Sequence, residues 1–262
     1  MGHIEWVEFA RVQSLPTPGS IVHASESWAE PAGGGAVIAR QMACLAGSCV
    51  FFTCLGDDEI GHESARRLTE LGLTLEIQDA GRPSRRAWTH VDGSGERTIT
   101  LLSEKLLPRG PLPLDDFDAV FFVSGDAEAL RSARGAAFVA GTTREQPTLL
   151  EAGVPLDLLV GSLNDAGERL ESEIDAQTIV LTDGSRGGVA NGARYQPAVP
   201  PGPIADAYGA GDSFSAALCF ALGRGDSLDD ALDLATTAGA YVITGRGPYS
   251  SQLTLAEWER RR

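Results

Sequence analysis

The chain has 262 residues, of which 43% are hydrophobic and 22% charged, with a formal net charge of −15. That length suits one large domain, and the charge repels nucleic acid and anionic membranes, so neither is an expected partner. No apolar run approaches the roughly 20 residues that cross a bilayer, and the N-terminal stretch lacks the basic start and apolar core of a signal peptide, so the expected location is cytoplasmic. Four cysteines (Cys44, Cys49, Cys54 and Cys219) form no CxxC pair. They read as reduced, buried thiols rather than zinc ligands.

In chain order, residues 3–12 read as a strand with polar alternation. Residues 32–47, AGGGAVIARQMACLAG, read as a glycine turn opening a helix. A buried strand follows at 48–56 and an amphipathic helix at 58–72, ending at Gly72. Residues 85–102 read as two strands around the turn Asp92-Gly93-Ser94-Gly95. A Pro/Gly-rich connection at 107–116 leads to a strand at 118–125 and a helix-like stretch over 126–141. Residues 147–153 and 157–162 are short candidate strands, and 178–184 is a strand that stops at a turn. After the connection at 195–206 comes an apolar helix over 213–225. Strands alternating with helices predict an α/β fold with a central, mostly parallel sheet between helices. In such folds ligands sit at the carboxyl ends of the strands. The segments near 3–30 and 84–103 break the alternation and predict a small β lid, with a simple edge hairpin as the alternative.

The segment Asp206 to Leu218, DAYGAGDSFSAAL, carries the most chemistry. Gly209, Ala210 and Gly211 are small residues at a helix start. There the free N–H groups and the helix dipole make an anion site. Asp212 lies in the first turn. A carboxylate there also serves simply as a residue that suits helix starts. No P-loop ending in Gly-Lys-Ser/Thr occurs, which disfavours a Walker-type nucleotide site.

The string Asp206-Ala207-Tyr208-Gly209-Ala210-Gly211-Asp212 resembles the second signature of the ribokinase-like, PfkB-type carbohydrate kinases, with Ala207 in place of the usual Thr. Residues 32–47 resemble the family's first signature. The Gly56-Asp57-Asp58 turn and its helix, and the Gly95-Glu96-Arg97-Thr98 lid turn, resemble the segments between. The resemblance spans most of the chain and implies a ribokinase-like three-layer sandwich, 1–262, with a β lid.

It implies ATP-dependent transfer of a phosphoryl group to a hydroxyl of a sugar or sugar-like small molecule. Asp212 would be the base and Gly209, Ala210 and Gly211 the anion hole. Asn164, Thr182, Gly184 and Gly187 fall at nucleotide-binding positions. Gly33 and Gly34 fall at substrate positions, with Glu5 and Arg97 as further polar contacts. Magnesium would sit near Glu168, which falls one place later than the family's Glu. Asp206, Gly247 and Ser251 match a monovalent-cation (K+) loop, and the lid implies a homodimer. Val7 and Val37 replace the family's Asp and Asn for sugar hydroxyls, which argues against ribose. A nucleoside kinase of the same fold, a catalytically inactive binding relative, and a sensor or scaffold holding another anion stay open.

Overall fold

The computed structural model describes residues 1–261. Four strands form the lid in the order β2-β1-β5-β6: β1 (Glu5–Arg11), β2 (Glu26–Ala32), β5 (Arg86–Val91) and β6 (Arg97–Leu101). β1 runs antiparallel to β2 and parallel to β5, and β5 turns back antiparallel into β6. The side chains of β1 alternate, so Glu5, Val7 and Phe9 are buried while Trp6 and Glu8 face the other way.

The main sheet has six strands in the order β12-β11-β10-β9-β8-β7. Its parallel part is β7 (Ala119–Phe122), β8 (Phe138–Thr142), β9 (Leu156–Ser162) and β10 (Ala176–Thr182). β11 (Gly188–Ala190) and β12 (Ala193–Tyr195) extend it as an antiparallel hairpin. A separate parallel pair, β3 (Val50–Leu55) and β4 (Thr74–Asp79), lies alongside. Met1 and Gly2 join the two. Val123 N–H donates to Met1 O, and Gly2 N–H donates to Phe52 O, each at 3.0 Å.

Helices cover both faces. On one, α1 (Gly34–Ala46), α5 (Ala210–Gly223) and α6 (Leu228–Val242) pack with Leu158, Val160 and Val180 of the sheet. On the other, α3 (Ala127–Ala133) and α4 (Gln146–Ala152) pack with Phe122, Val139 and Leu159. α2 (Glu59–Glu70) starts at Asp58, whose side chain accepts Gly61 N–H at 2.7 Å, and α7 (Leu255–Glu259) opens with a capping box at Thr254. α5 is apolar on nearly every side because it is enclosed between α1, α6 and the sheet. No helix among the described residues is long and apolar enough to cross a membrane.

Two expectations differ from this architecture. Residues 147–153 form α4 rather than a strand. Pro147 stands in its first turn, Gly153 closes it at φ 63°, and only Leu149 of its apolar residues is buried. A short apolar run does not distinguish strand from helix by itself. The helix expected over 126–141 ends at Ala133, and its apolar tail becomes β8. The chain turns at Gly135, where a Cβ would stand 2.1 Å from Asp115 Oδ1.

Gly35 shows what a packing glycine looks like here. A Cβ built on it would lie 2.5 Å from His3 O and 2.9 Å from Gly2 C, both backbone atoms that cannot swing aside. Gly35→Ala should therefore destabilise the fold by about 2 kcal/mol or more, read as a lower denaturant midpoint with an unchanged m-value.

Candidate active site

Two helix N-termini meet at the carboxyl edge of the sheets. α1 opens at Gly33, whose φ of 86° and ψ of 154° lie in a region essentially reserved for glycine. α5 opens at Gly209, with φ 83°. A Cβ on Gly209 would also press to 3.0 Å from Val37 Cγ1, so the two helix starts lie against each other. Ser213 N–H bonds back to Gly209 O at 2.8 Å, and Ala210 N–H reaches Ala207 O in a long 3.4 Å bond. The N–H groups of Gly211 and Asp212 have no backbone acceptor among the described residues. They are the free donors of a helix start. Of the small residues expected at this turn, Gly211 borders open space, with nothing within 4 Å of an added Cβ.

Asp212 is half-buried in that first turn, next to Gly34: a Cβ on Gly34 would lie 3.0 Å from Asp212 Oδ1. Burial pushes its carboxyl up to about 6. The charges of Arg97 and Arg144 pull it down, and those of Glu168 and Glu5 add to the rise. A carboxylate poised there is ionised at neutral pH yet basic enough to take a proton.

Glu5 lies beside the other glycine, its Cγ 2.7 Å from where a Gly33 Cβ would stand. It is buried with His3 and Arg85, with His3 Nε2 at 3.6 Å and Arg85 Nε at 3.2 Å from its oxygens. Burial pushes the Glu5 carboxyl up, but His3 and Arg85 outweigh it and hold the group below its usual range. Arg97 stands on the exposed lid strand β6 with its guanidinium 3.3 Å from Glu96, and its charge is felt at Asp212.

The turns after β9 and β10 meet as well. A Cβ on Gly184 would lie 3.6 Å from Asn164 Nδ2, and Arg186 Nη2 donates to Asn164 Oδ1 at 3.3 Å. Thr182 Oγ1 donates to Gly161 O at 3.2 Å, tying the two strand ends together. Gly187 has a hairpin role of its own: φ is 83°, and a Cβ would meet Tyr195 O at 2.1 Å.

Glu168 does not stand free. Arg144 Nη2 donates to Glu168 Oε1 at 2.8 Å and also pairs with Asp165. Arg144 was not legible in the sequence. It follows β8, a strand that the apolar run at 138–141 hid inside a helix, and a charged residue just past a parallel strand is the signal that would have found it. Its oxygen partners converge on a cation, so the donor chemistry of Asp165 and Glu168 fits a hard divalent ion. Among the described residues no three His, Cys, Asp or Glu side chains converge to cage an ion by themselves. Any divalent ion here would complete its shell with phosphate oxygens and water.

Asp206 is fully buried, and burial raises its carboxyl. Its oxygens accept Tyr208 N–H at 2.9 Å and Gly247 N–H at 3.1 Å. Gly247 is pressed by Glu30, with Oε1 2.2 Å from an added Cβ, while Ser251 lies against Gly245. Asp206 and Gly247 are thus in contact, and Ser251 belongs to the same turn. A groove of about 700 Å³ between Trp6 and α2 lies on the opposite side of β1 from Glu5 and holds none of these groups.

Similarity follows the same geometry. A family model described as pfkB family carbohydrate kinase matches residues 1–121 and 123–255. The bifunctional protein HldE of Bradyrhizobium diazoefficiens is 25% identical over 302 residues, covering 97% of this chain and 59% of that protein, so the chain spans little more than half of it. The aminoimidazole riboside kinase of Salmonella typhimurium is 24% identical over 276 residues, 85% of this chain and 86% of that one. The fold is that of a ribokinase from Cryptococcus neoformans var. grubii solved with ADP, at a TM-score of 0.77 and 20% identity, covering 100% of this chain and 98% of the other. With a matched model running from the first residue to within a few of the last, and two glycine-rich helix starts meeting at an aspartate, the chain belongs to the pfkB family of carbohydrate kinases.

Proposed function

We propose that the protein transfers the γ-phosphoryl group of ATP to a hydroxyl of a small sugar or sugar-like molecule. The observation that carries this reading is Asp212, set at the start of α5 beside Gly34 with its carboxyl pushed to about 6. In this reading the acceptor hydroxyl lies against Asp212, which takes its proton as the oxygen attacks phosphorus. The free N–H groups of Gly211 and Asp212 hold the charge spread over the transferring phosphoryl oxygens, and Arg144 and Arg97 add positive charge from the two sides. Asn164, Thr182 and Gly184 border the nucleotide. Glu168 and Asp165 would hold magnesium in exchange for part of their pairing with Arg144, and the ion would neutralise the phosphates. Asp206 and the Gly247 turn would hold a monovalent cation behind the anion hole. Exposed Trp88, Leu101 and Leu102 on the lid support a homodimer through that sheet.

The test is ADP formation with MgATP and a panel of sugars and nucleosides, followed from pH 5 to pH 8. Below about pH 6, kcat/KM should fall about tenfold per pH unit as Asp212 is protonated, and it should level off above. A flat profile would remove Asp212 from the role of base. The pairing of Glu168 with Arg144 favours a second reading, a nucleotide-binding protein without transfer. Tight MgATP binding with no ADP formed from any acceptor would establish that one.

A further inference from the structure

The lid meets the body along one face of β1 and β2. The centre of that joint is apolar: Val7, Phe9 and Ala32 of the lid pack with Val37 of α1 and the ring of Tyr208, which stands edge-on to Phe9 with centroids 5.2 Å apart. Beyond the apolar centre the joint is charged. Trp28 stacks on Phe9 at 4.8 Å, with the ring planes 4° apart. Two guanidiniums lie over the indole, Arg246 at 5.2 Å and Arg11 at 5.9 Å from the ring centre. Glu26 stands between them. Arg246 Nη1 donates to Glu26 Oε1 at 2.8 Å, and Arg11 Nε donates to Glu26 Oε2 at 3.5 Å. The bond from Arg246, ahead of a small opposing effect of burial, holds the Glu26 carboxyl below its usual range.

Both arginines lead towards α5. Arg11 Nη1 donates to Ala205 O at 2.8 Å, and Ala207 N–H donates to Gly95 O of the lid turn at 2.9 Å. Asp206 therefore stands between two residues that are each bonded to the lid. Arg246 is followed by Gly247, whose N–H donates to Asp206 Oδ2 at 3.1 Å, and Asp206 Oδ1 accepts Tyr208 N–H at 2.9 Å. The next residue, Gly209, opens the helix that carries Asp212. Along β2, Glu30 shares the face of Glu26 and Trp28. It accepts Trp28 Nε1–H at 2.9 Å and lies against Gly247. A second fastening, Arg67 of α2, donates to Ala29 O and lies over Trp6, on the side of the lid turned away from Glu5. It does not lead to α5.

We infer that Glu26, bridged to Arg11 and Arg246, is a positioning residue for phosphoryl transfer: the bridge fastens the lid to the two segments that brace the start of α5. The position of the lid and the geometry of the helix start are then set together. Partly exposed ion pairs contribute little to global stability. Opening the lid, however, parts only this joint, so the same bridge weighs on a local equilibrium with a smaller free energy of its own. This rests on the kinase reading and adds to it residues that touch neither substrate.

The experiment follows ADP formation by the intact chain with MgATP and the best acceptor of a sugar and nucleoside panel, at constant potassium chloride. Glu26→Gln removes both pairs without adding a charge. It should lower kcat/KM for the acceptor about five- to tenfold, with the KM for MgATP within about twofold and the urea midpoint unchanged. Arg246→Gln should lower it about threefold. The Glu26→Gln/Arg246→Gln double variant should fall no further than Glu26→Gln, because one shared interaction is lost only once. Raising the ionic strength to about 0.5 M with Tris chloride should shrink the gap between parent and Glu26→Gln to about twofold. A packing role for the side chain would not give that dependence. Parent-like kcat/KM in Glu26→Gln would overturn the inference and leave the kinase reading standing. So would losses that multiply in the double variant, a gap that ignores ionic strength, or a loss matched by a lowered urea midpoint. No ADP formed by the parent from any acceptor would overturn both.

Discussion

Asp212→Asn should lower kcat for phosphoryl transfer by about 10²–10⁴ while leaving the KM for MgATP nearly unchanged. The amide keeps the shape and the neighbouring N–H donors but cannot take the hydroxyl proton. Steady-state kinetics with a competent acceptor check this, and a variant with undiminished kcat would exclude Asp212 as the base. The same substitution should stabilise the protein at neutral pH. Burial moves the Asp212 carboxyl from an ordinary 3.8 to about 6, so the folded chain holds that proton more tightly than the unfolded one. Below the unfolded value both states are protonated and nothing is lost. As pH rises towards about 6 the folded state loses stability, and above it the full penalty applies. Roughly 2 pH units correspond to at most about 3 kcal/mol, less whatever solvent screening a half-buried group receives. Urea unfolding of the two proteins should therefore diverge in midpoint between pH 4 and pH 7, with the Asn variant the more stable. Equal midpoints at pH 7.5 would mean that the carboxylate is as well solvated in the fold as in the unfolded chain.

Gly211→Val should cost transfer about 10²–10³ without cost in stability. Most glycines near the site are fixed by their surroundings: Gly33 by its dihedral angles, Gly35 by the backbone of His3, and Gly187 by Tyr195. Gly211 is different. Its φ is not in the left-handed region, and an added Cβ meets nothing within 4 Å. The room lies at the α5 start, where the proposed reaction would place the phosphoryl group. A valine there would fill the proposed anion site while the fold keeps its packing. The thermal midpoint should match that of the parent, since replacing a helical glycine adds back some of what valine's branched side chain takes away. Normal turnover in Gly211→Val would place the transferring group elsewhere.

These two residues mark how far the sequence reaches. The glycine-rich turn, the aspartate after it and the apolar helix behind them form one local string, and local strings survive into the fold intact. So do the strands at β3, β7 and β10, whose apolar runs are bounded by turns. The run at 147–153 was ambiguous because seven residues with a few leucines suit either period, and Pro147 with Gly153 decided for a helix. β4, β11 and β12 went unread because their residues are largely exposed or very short and carry little pattern.

The candidate site was legible in part. Asp212 stands out in its glycine-rich string and Gly33, Gly34 and Asn164 through the family resemblance, whereas Arg144 and Arg85 do not. Arg144 reaches Asp165 and Glu168 from more than twenty positions away, and Arg85 reaches Glu5 across eighty. Such pairs exist only once β1 lies beside β5 and β8 beside β9. The two valines are the clearest case. In the sequence they are two missing hydroxyl ligands, and in the structure they are the wall against which Tyr208 stands. The sequence alone determined that a carboxylate stands in the first turn of a helix opened by a glycine-rich turn, because a helix start and its capping chemistry are contained in a few consecutive residues. Only the tertiary structure decided which charged groups stand around it, Arg85 against Glu5 and Arg144 against Asp165 and Glu168, because burial and charge pairing depend on chain segments that meet solely through the sheet.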